Sequence, residues 1–481
     1  MEGWLNNFEY FLGIVRDFLS DYALIPLLIA IAIWLTWRTR GVQFRMFGEM
    51  CRLLVSPKPK KDSNKKTLTS FQSFMVSVAS HVGTGNLAGV ATALTVGGPG
   101  AIFWMWVIAL LAASASFIEC TLAQIFKIHD GKGGFRGGPA YYIQRGIGSR
   151  VWAVTFAVLI SLTFGFAYNS VQSNTISQAF ASSWNVPEIL TTAIITILTL
   201  VIIWGGIKSI ARFSQWVVPI MAVAYVIVGI TIIIMNFERI PECFKAIIDG
   251  AFGFNEVLGG SFGAALSIGV RRGLFSNEAG EGSAPNAAAT ADVSHPVKQG
   301  LVQALGVYTD TLLICTCTAL IILLSGLPLD NGAEGITLTQ NAIDNEFHSA
   351  GFGATFVSIA IFFFAFTSIV ANYYYGETNI RFITPKSIWI VVYRIAVGAM
   401  VFIGGTSSLG IVWTFADITM ALMAITNIAA LILLAKYAIR ALKDFSSQRR
   451  KGENPVYYRD VNPEIADKTE CWPERPKTKS L

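Results

Sequence analysis

Ser80-His81-Val82-Gly83-Thr84-Gly85-Asn86-Leu87-Ala88-Gly89 sits in the middle of an otherwise apolar run covering about 71–95. Backbone N–H and C=O groups cannot stay unpaired in lipid, so a polar, Gly-rich interruption at that depth must line a protein cavity or bind something. Small residues also let helices approach closely, which suffices to account for Gly89 alone. Gly83-Thr84-Gly85-Asn86 differs: two helix-breaking residues flank one polar group and another follows, the composition of an unwound segment. The same letters fit a GxGxxA dinucleotide pattern, but no strand precedes them and no acid lies about 20 residues on.

A second interruption is longer: Arg271-Arg272-Gly273-Leu274-Phe275-Ser276-Asn277-Glu278-Ala279-Gly280-Glu281-Gly282-Ser283-Ala284-Pro285-Asn286. Charged and amide groups at this density are costly in a membrane interior and face a pathway or one another. The alternative is a loop between two separate helices. The apolar stretch at 259–270 and the small-residue stretch after Pro285 are each too short to cross alone, so together they read as two half-helices around a break.

The rest of the chain supplies the membrane. Its 481 residues are 53% apolar and only 14% charged, against roughly 25% charged in an average soluble domain, and mean hydropathy is +0.55. The apolar runs are continuous, which excludes the alternation of a β-barrel. About eleven are long enough to span: 23–37, 71–95, 100–126, 150–181, 188–206, 214–236, 259–290, 298–326, 352–376, 388–405 and 409–435. The net charge of +6 does not imply a nucleic-acid partner, because Lys and Arg lie between and after these runs rather than on one face. Six cysteines without a CxxC spacing and four isolated histidines give neither a disulfide framework nor a metal site.

The basic segments set the topology. Nine Lys or Arg between Arg38 and Lys66 form the densest basic loop, expected in the cytoplasm. Lys127, Lys132 and Arg136; Lys208 and Arg212; Lys298; Arg381 and Lys386; and the tail from Lys436 then fall on the same side. The 327–350 connection, with Asp330, Glu334, Asp344 and Glu346, falls outside, although Arg239 and Lys245 show that the rule is statistical. The N-terminus is expected outside and the C-terminus inside. The start of the chain, bearing Glu2, Glu9, Asp17 and Asp21, lacks the basic n-region of a signal peptide. Beyond about Asp444 the polar, Pro-bearing sequence reads as a mobile tail.

Two interrupted segments, each opening a block of five spans, point to an inverted-repeat secondary transporter. The expected divisions are 1–66 (amphipathic N-terminus, extra span and basic loop), 67–240 (first repeat), 241–436 (second, inverted repeat) and 437–481 (cytoplasmic tail). Free N–H groups at an unwound helix end favour a carboxylate, and exposed carbonyls favour a small cation or an ammonium. An amino acid accompanied by Na⁺ or H⁺ satisfies both. One positive charge entering across about 100 mV supplies about 2.3 kcal/mol, or roughly fifty-fold accumulation.

The strings GTGNLAGVA (83–91), GGPGAIFWMW (97–106), FRGGPAYY (135–142), GLFSNEAGEGSAPNAAA (273–289) and FAFTSIVANYYYGE (364–377) resemble the alanine/glycine:cation symporter family over roughly residues 5–440. The resemblance implies an all-α LeuT-type fold with a five-plus-five inverted repeat and one extra N-terminal helix. It implies Na⁺-coupled uptake of a small neutral amino acid by alternating access in a plasma membrane, the inner one in a Gram-negative source, without an enzyme activity or bound cofactor. By similarity, Gly83, Thr84, Gly85 and Asn86 meet the amino acid's charged groups, with Phe275, Ser276, Asn277 and Gly280 contributing from the other break and Phe275 walling the side-chain pocket. Gln172 resembles a further substrate contact; interhelical hydrogen bonding explains it equally well. Thr367 and Ser368 stand where LeuT-type proteins place hydroxyl ligands to Na⁺, with carbonyls near His81, Val82 and Thr84 completing the site.

Asn372 departs from the bulky Trp of many alanine-transporting relatives, which makes glutamine or another small polar amino acid a credible substrate; a non-transporting sensor on the same scaffold is the other alternative. Glu119, Glu278, Glu281, Asp310 and Asp417 are the intramembrane candidates for proton coupling, with Glu278 expected instead to pair with Arg271 or Arg272. The sequence leaves the oligomeric state open.

Overall fold

A computed structural model of the chain describes residues 2–55, 67–253, 262–329, 335–349 and 351–476. Outside these lie 56–66 of the basic loop, 259–261 at the expected start of the second broken segment, Asp330 and Glu334 of the outer connection, and 477–481 of the tail. Apart from a two-stranded hairpin, Ile128–His129 against Phe135–Arg136, the described chain is helical. Among the described residues eight helices are long and apolar enough to cross a membrane: Tyr10–Arg38, Gly100–Ile125, Arg150–Trp184, Gly206–Met235, Pro296–Leu324, Phe352–Ile383, Ser387–Gly405 and Leu409–Arg450. Three expected spans are shorter or broken pieces: Glu188–Ile203 has 16 residues, and the segments at 71–95 and 259–290 are interrupted where their Gly-rich stretches predict.

The first broken helix begins with a reciprocal cap. The Thr69 hydroxyl accepts from Gln72 N at 3.1 Å, and Thr69 N donates to the Gln72 side chain at 3.2 Å, satisfying donors that a helix start leaves free. It runs Ser70–His81, extends at Val82, and resumes through a π-type turn at Gly85–Gly89 into Val90–Gly97. The second runs Phe262–Asn277, opens, and closes with the short helix Ala284–Ala288. Glu278, Gly280 and Gly282 all have positive φ, 53°, 89° and 90°, a conformation that glycine adopts freely and glutamate only under constraint.

Helix Gly100–Ile125 crosses the second broken helix so closely that a Cβ at Gly269 would lie 2.5 Å from Ala101 O and one at Gly273 would lie 3.0 Å from an Ile108 methyl. Such small-residue seams supply packing where lipid offers no hydrophobic drive. Leu68 pairs with Ala291, and Asp292 N donates to Leu68 O at 3.0 Å, so the lower ends of both broken helices are tied together. Apolar side chains such as Ile197, Val201, Val223, Ile227 and Ile234 remain exposed on the outer helices, the faces that lipid covers.

Four expectations need correction. The helix read as starting at 214 begins at Gly206, after a Trp204-Gly205 turn that separates it from Glu188–Ile203. The connections near 237–258 and 327–350 are not plain loops but contain helices Ile240–Phe252 and Ile336–Glu346. The last membrane helix continues to Arg450, past the expected boundary at 436. And the polar tail, rather than being loose, is docked through residue 476. Tyr457, Ile465 and Trp472 are buried; Trp472 Nε1 donates to Gln124 O at 3.0 Å, Tyr457 N to Ser294 O at 2.9 Å, and Arg145 pairs with Glu470 at 2.7 Å. Few apolar residues are needed when aromatic side chains and backbone acceptors carry the docking, which a composition argument misses.

Candidate functional site

Where the first helix breaks, its free backbone groups find side-chain partners, one from the segment itself and one from another helix. Gly83 N donates to Asn86 Oδ1 at 2.9 Å, and Thr84 N to Gln172 Oε1 at 2.9 Å. Gln172 comes from Arg150–Trp184, whose turn just before it carries Tyr168. A Cβ on Gly83 would stand 2.5 Å from Ser368 Oγ and 2.8 Å from Gln172 Oε1, and one on Gly85 would stand 3.1 Å from both Phe275 and the Ser276 backbone. Both glycines sit at close approach, and Gly85 is where the first break meets the helix end that precedes the second. The Thr84 hydroxyl is buried with no hydrogen-bond partner among the described residues.

Asn86, Ser276 and Asp310 form a compact buried cluster between the two breaks, in which Ser276 and Asp310 supply the oxygens and Asn86 its amide nitrogen. Asn86 Nδ2 donates to Asp310 Oδ1 at 2.6 Å and to Ser276 Oγ at 3.1 Å, and Ser276 Oγ donates to Asp310 Oδ2 at 2.7 Å; Cys315 Sγ lies 3.1 Å from Ser276 Oγ. Asn277 turns aside, donating to Thr311 Oγ1 at 3.1 Å and accepting from Ala279 N. Gly280 is held by its backbone, N to Glu119 at 3.2 Å and O to Asn427 at 2.9 Å.

A second oxygen cluster lies on the other side of the first break. Ser368 Oγ is 2.8 Å from Ala79 O and 3.4 Å from Val82 O, while the neighbouring Thr367 hydroxyl bonds Phe364 O of its own helix at 2.9 Å. Ala79 and Val82 thus supply the carbonyls there, whereas the His81 ring is buried 3.6 Å from Glu278 Oε2. Asn372 is spanned by polar partners: Ser80 Oγ lies 2.6 Å from its Oδ1, and its Nδ2 donates to Asn169 at 3.1 Å.

The expected pairing of Glu278 with Arg271 or Arg272 does not occur. Both arginines point to acids on more distant helices. Arg271 meets Asp17 at 3.0 Å and Asp21 at 2.9 Å on the extra N-terminal helix, and Arg272 pairs with buried Asp417. Glu278 instead accepts from Ser80 at 2.6 Å and Ser283 at 2.5 Å, because its positive φ swings the side chain back toward the first break. Glu281 accepts from Tyr168 OH at 3.1 Å, and Glu119 from Asn427 Nδ2 at 2.9 Å.

Above the breaks, Tyr168, Phe275 and Trp413 form a row of mutually tilted rings with centroids 4.5 and 4.7 Å apart, and the Arg272 guanidinium lies 4.3 Å over Trp413. Trp413 and the Arg272–Asp417 pair line a vestibule of about 860 Å³ whose walls include Asp17, Asp21 and Arg271. Sequence reasoning did not assign Tyr168, Trp413, Cys315 or Asn427 to the region. Asp310 and Asp417, like Glu119, Glu278 and Glu281, carried a signal as lone acids in apolar runs.

The chain matches the model of the sodium:alanine symporter family over residues 5–459. It is 46% identical to the probable sodium/glutamine symporter GlnT of Bacillus subtilis, covering 97% of this chain and 96% of that one, and 47% identical to the amino-acid carrier protein AlsT of the same organism, covering 95% and 96%. It is 36% identical to the sodium/alanine symporter AgcS of Methanococcus maripaludis, over 92% of this chain and 98% of that one. Among solved structures, MhsT in complex with L-phenylalanine superposes with a TM-score of 0.55 at 13% identity, covering 84% of this chain and 93% of that one. A manganese transporter of Eremococcus coleocola follows at 0.51 and 14%, covering 86% and 89%. These last two speak for the fold alone, the LeuT type. With its apolar helices, broken segments and this breadth of similarity, the chain is a multi-pass membrane protein that belongs to the sodium:alanine symporter family.

Proposed function

We propose that the protein couples the inward movement of Na⁺ to uptake of a small neutral amino acid by alternating access. The observation that carries this reading is the pair of oxygen clusters near the first break, one from Ser368 with the Ala79 and Val82 carbonyls and one from Ser276 and Asp310, which the Asn86 amide nitrogen ties to the first break. Hard, mostly neutral oxygens suit a monovalent cation that must leave again. Between them the Thr84 hydroxyl and the backbone at Gly83 and Gly85 offer the amino acid's charged ends a polar cradle, and Phe275 walls its side chain. H⁺ is the alternative coupling ion.

On this reading the Arg272–Asp417 pair and the Trp413 row close the outer side, the basic segments face the cytoplasm, and the N-terminus lies outside. Cation binding favours the outward-open form, and filling of the breaks permits closure. A second reading, in which the cargo is glutamine, has one observation in its favour beyond the 46% identity to GlnT. Asn372 places an amide, not a bulky aromatic, beside Ser80 at the first break.

The test is uptake of labelled alanine into proteoliposomes at a fixed membrane potential, with external Na⁺ exchanged for K⁺ and with glycine and glutamine as competitors. Sodium-dependent uptake blocked by glycine is expected. Block by glutamine instead assigns the larger cargo, and absence of uptake in either salt by folded protein overturns the symport reading.

A further inference from the structure

On the basic side of the molecule, away from both oxygen clusters, lies a pocket of about 400 Å³ on which five cationic side chains converge from separate elements. Lys132 and Arg136 come from the hairpin, Lys208 from the start of Gly206–Met235, Arg381 from the end of Phe352–Ile383, and Arg394 from Ser387–Gly405. Two carboxylates face them, each engaged through one oxygen, while Glu377 Oε2 accepts no hydrogen bond among the described residues. Asp130 Oδ1 accepts the backbone N–H groups of Lys132 at 2.7 Å and Gly134 at 2.8 Å. Glu377 holds Arg381 at 2.6 Å and lies 3.8 Å from Arg394. Among the described residues, Lys132, Arg136 and Lys208 have no carboxylate partner, and Arg136 Nε is buried without a hydrogen bond.

The pocket's position says what kind of anion it meets. Its wall includes Trp204, 55% exposed, with the Arg394 guanidinium 5.3 Å over the ring. Trp204 follows the exposed Ile197 and Val201 of Glu188–Ile203, and Ile388 and Trp389 at the start of Ser387–Gly405 are exposed as well. Tryptophan with a basic neighbour at the end of a lipid-facing helix is the signature of the headgroup level. The pocket therefore opens where phosphates lie, and unpaired guanidinium and ammonium groups are the donors that phosphate oxygens take.

We propose that this pocket binds a phosphate group, that of an anionic lipid headgroup such as phosphatidylglycerol, with Arg136 and Lys208 as its principal donors. The site does not depend on the identity of the cargo, and its test reads binding rather than transport. Purified protein in neutral detergent is titrated with phosphatidylglycerol or phosphatidylcholine, and separately with inorganic phosphate against chloride at equal ionic strength, following thermal unfolding and bound lipid by native mass spectrometry.

Phosphatidylglycerol, and not phosphatidylcholine, is expected to raise Tm and to remain bound. Arg136→Gln and Lys208→Gln should each weaken the effect about fivefold, since each cation near an anionic headgroup contributes a factor of that order. Lys386→Gln, an exposed basic residue outside the pocket, should leave it unchanged. If inorganic phosphate alone reproduces the shift, the phosphate site stands and its source is the free ion. The proposal is overturned if neither compound stabilises the wild type beyond its control, or if both single variants bind phosphatidylglycerol as tightly as the wild type.

Discussion

The two broken helices open the same depth of the molecule by different means. The first yields only at Val82 and Gly83 before turning again at Thr84, and the groups it frees are met by neutral side chains from elsewhere, Gln172 and Ser368. The second stays open from Glu278 to Ser283, needs three positive-φ residues, and is braced by carboxylates: Glu119 on Gly280 N, Glu278 on Ser80 and Ser283, Glu281 on Tyr168. A short break with neutral partners leaves carbonyls available to a cation. A long break filled by the protein's own acids has most of its polar groups engaged internally. On the proposed function, that difference puts cation binding at the first break and makes the second the candidate hinge.

The largest test of that division is Gly83→Ala. The added methyl would collide with Ser368 Oγ and Gln172 Oε1, both on separate helices, so uptake should fall more than about tenfold while the protein still folds, overpacking costing about 1–3 kcal/mol. Near-normal uptake by Gly83→Ala would remove the first break from the binding site. Next comes Arg272→Gln, which leaves Asp417 buried and uncompensated, a loss of about 3–5 kcal/mol. The double variant Arg272→Gln/Asp417→Asn should recover most of the thermal stability but not uptake, because two neutral amides no longer latch the outer side. Recovery of uptake as well would make the pair a structural brace and not part of the moving half.

Both breaks were legible in the sequence because Gly, Asn and charged residues are conspicuous in an apolar run, and the resemblance supplied the fold. What could not be read was direction. Arg271 and Arg272 are near Glu278 in sequence, and only the turn of the helix sends them to Asp17, Asp21 and Asp417 while the positive φ of Glu278 turns it to Ser80. Asn372 shows the same limit: its position suggested a missing wall of the cargo pocket, whereas its side chain links Ser80 to Asn169. The tail was misread because burial of Tyr457 and Trp472 depends on acceptors 163 and 348 residues away, which no local composition reveals.

A smaller effect separates the two oxygen clusters. Ser368→Ala removes one neutral oxygen beside the Ala79 and Val82 carbonyls, so the Na⁺ concentration giving half-maximal uptake should rise about fivefold, the worth of roughly one hydrogen-bond-sized interaction, with the maximal rate little changed. Unchanged Na⁺ dependence would transfer the coupling ion to the Asn86–Ser276–Asp310 cluster, and with it part of the binding role to the second break.

The smallest effect concerns how the lower end of the second broken helix is held. There Lys127 Nζ donates to Ala291 O at 3.0 Å and lies 4.9 Å over the Trp472 ring of the docked tail. Burial pulls this ammonium down to about 8, whereas in a released tail it returns toward the ordinary lysine value of about 10.4. Below pH 8 both states hold the proton and docking is indifferent to pH. Between about pH 8 and 10.4 the docked state holds fewer protons than the released one, so docking tightens as pH rises. Protease cleavage of the tail should therefore slow a few-fold from pH 7.5 to 9.5 relative to Lys127→Met, which keeps the protease's own pH dependence and that of the half-buried Cys471 thiol, pushed up to about 11. The first broken helix, capped by the neutral Thr69–Gln72 pair, has no such titrating group among these contacts at its lower end. Equal pH profiles for wild type and Lys127→Met would mean that the second helix's lower end is no more charge-dependent than the first's.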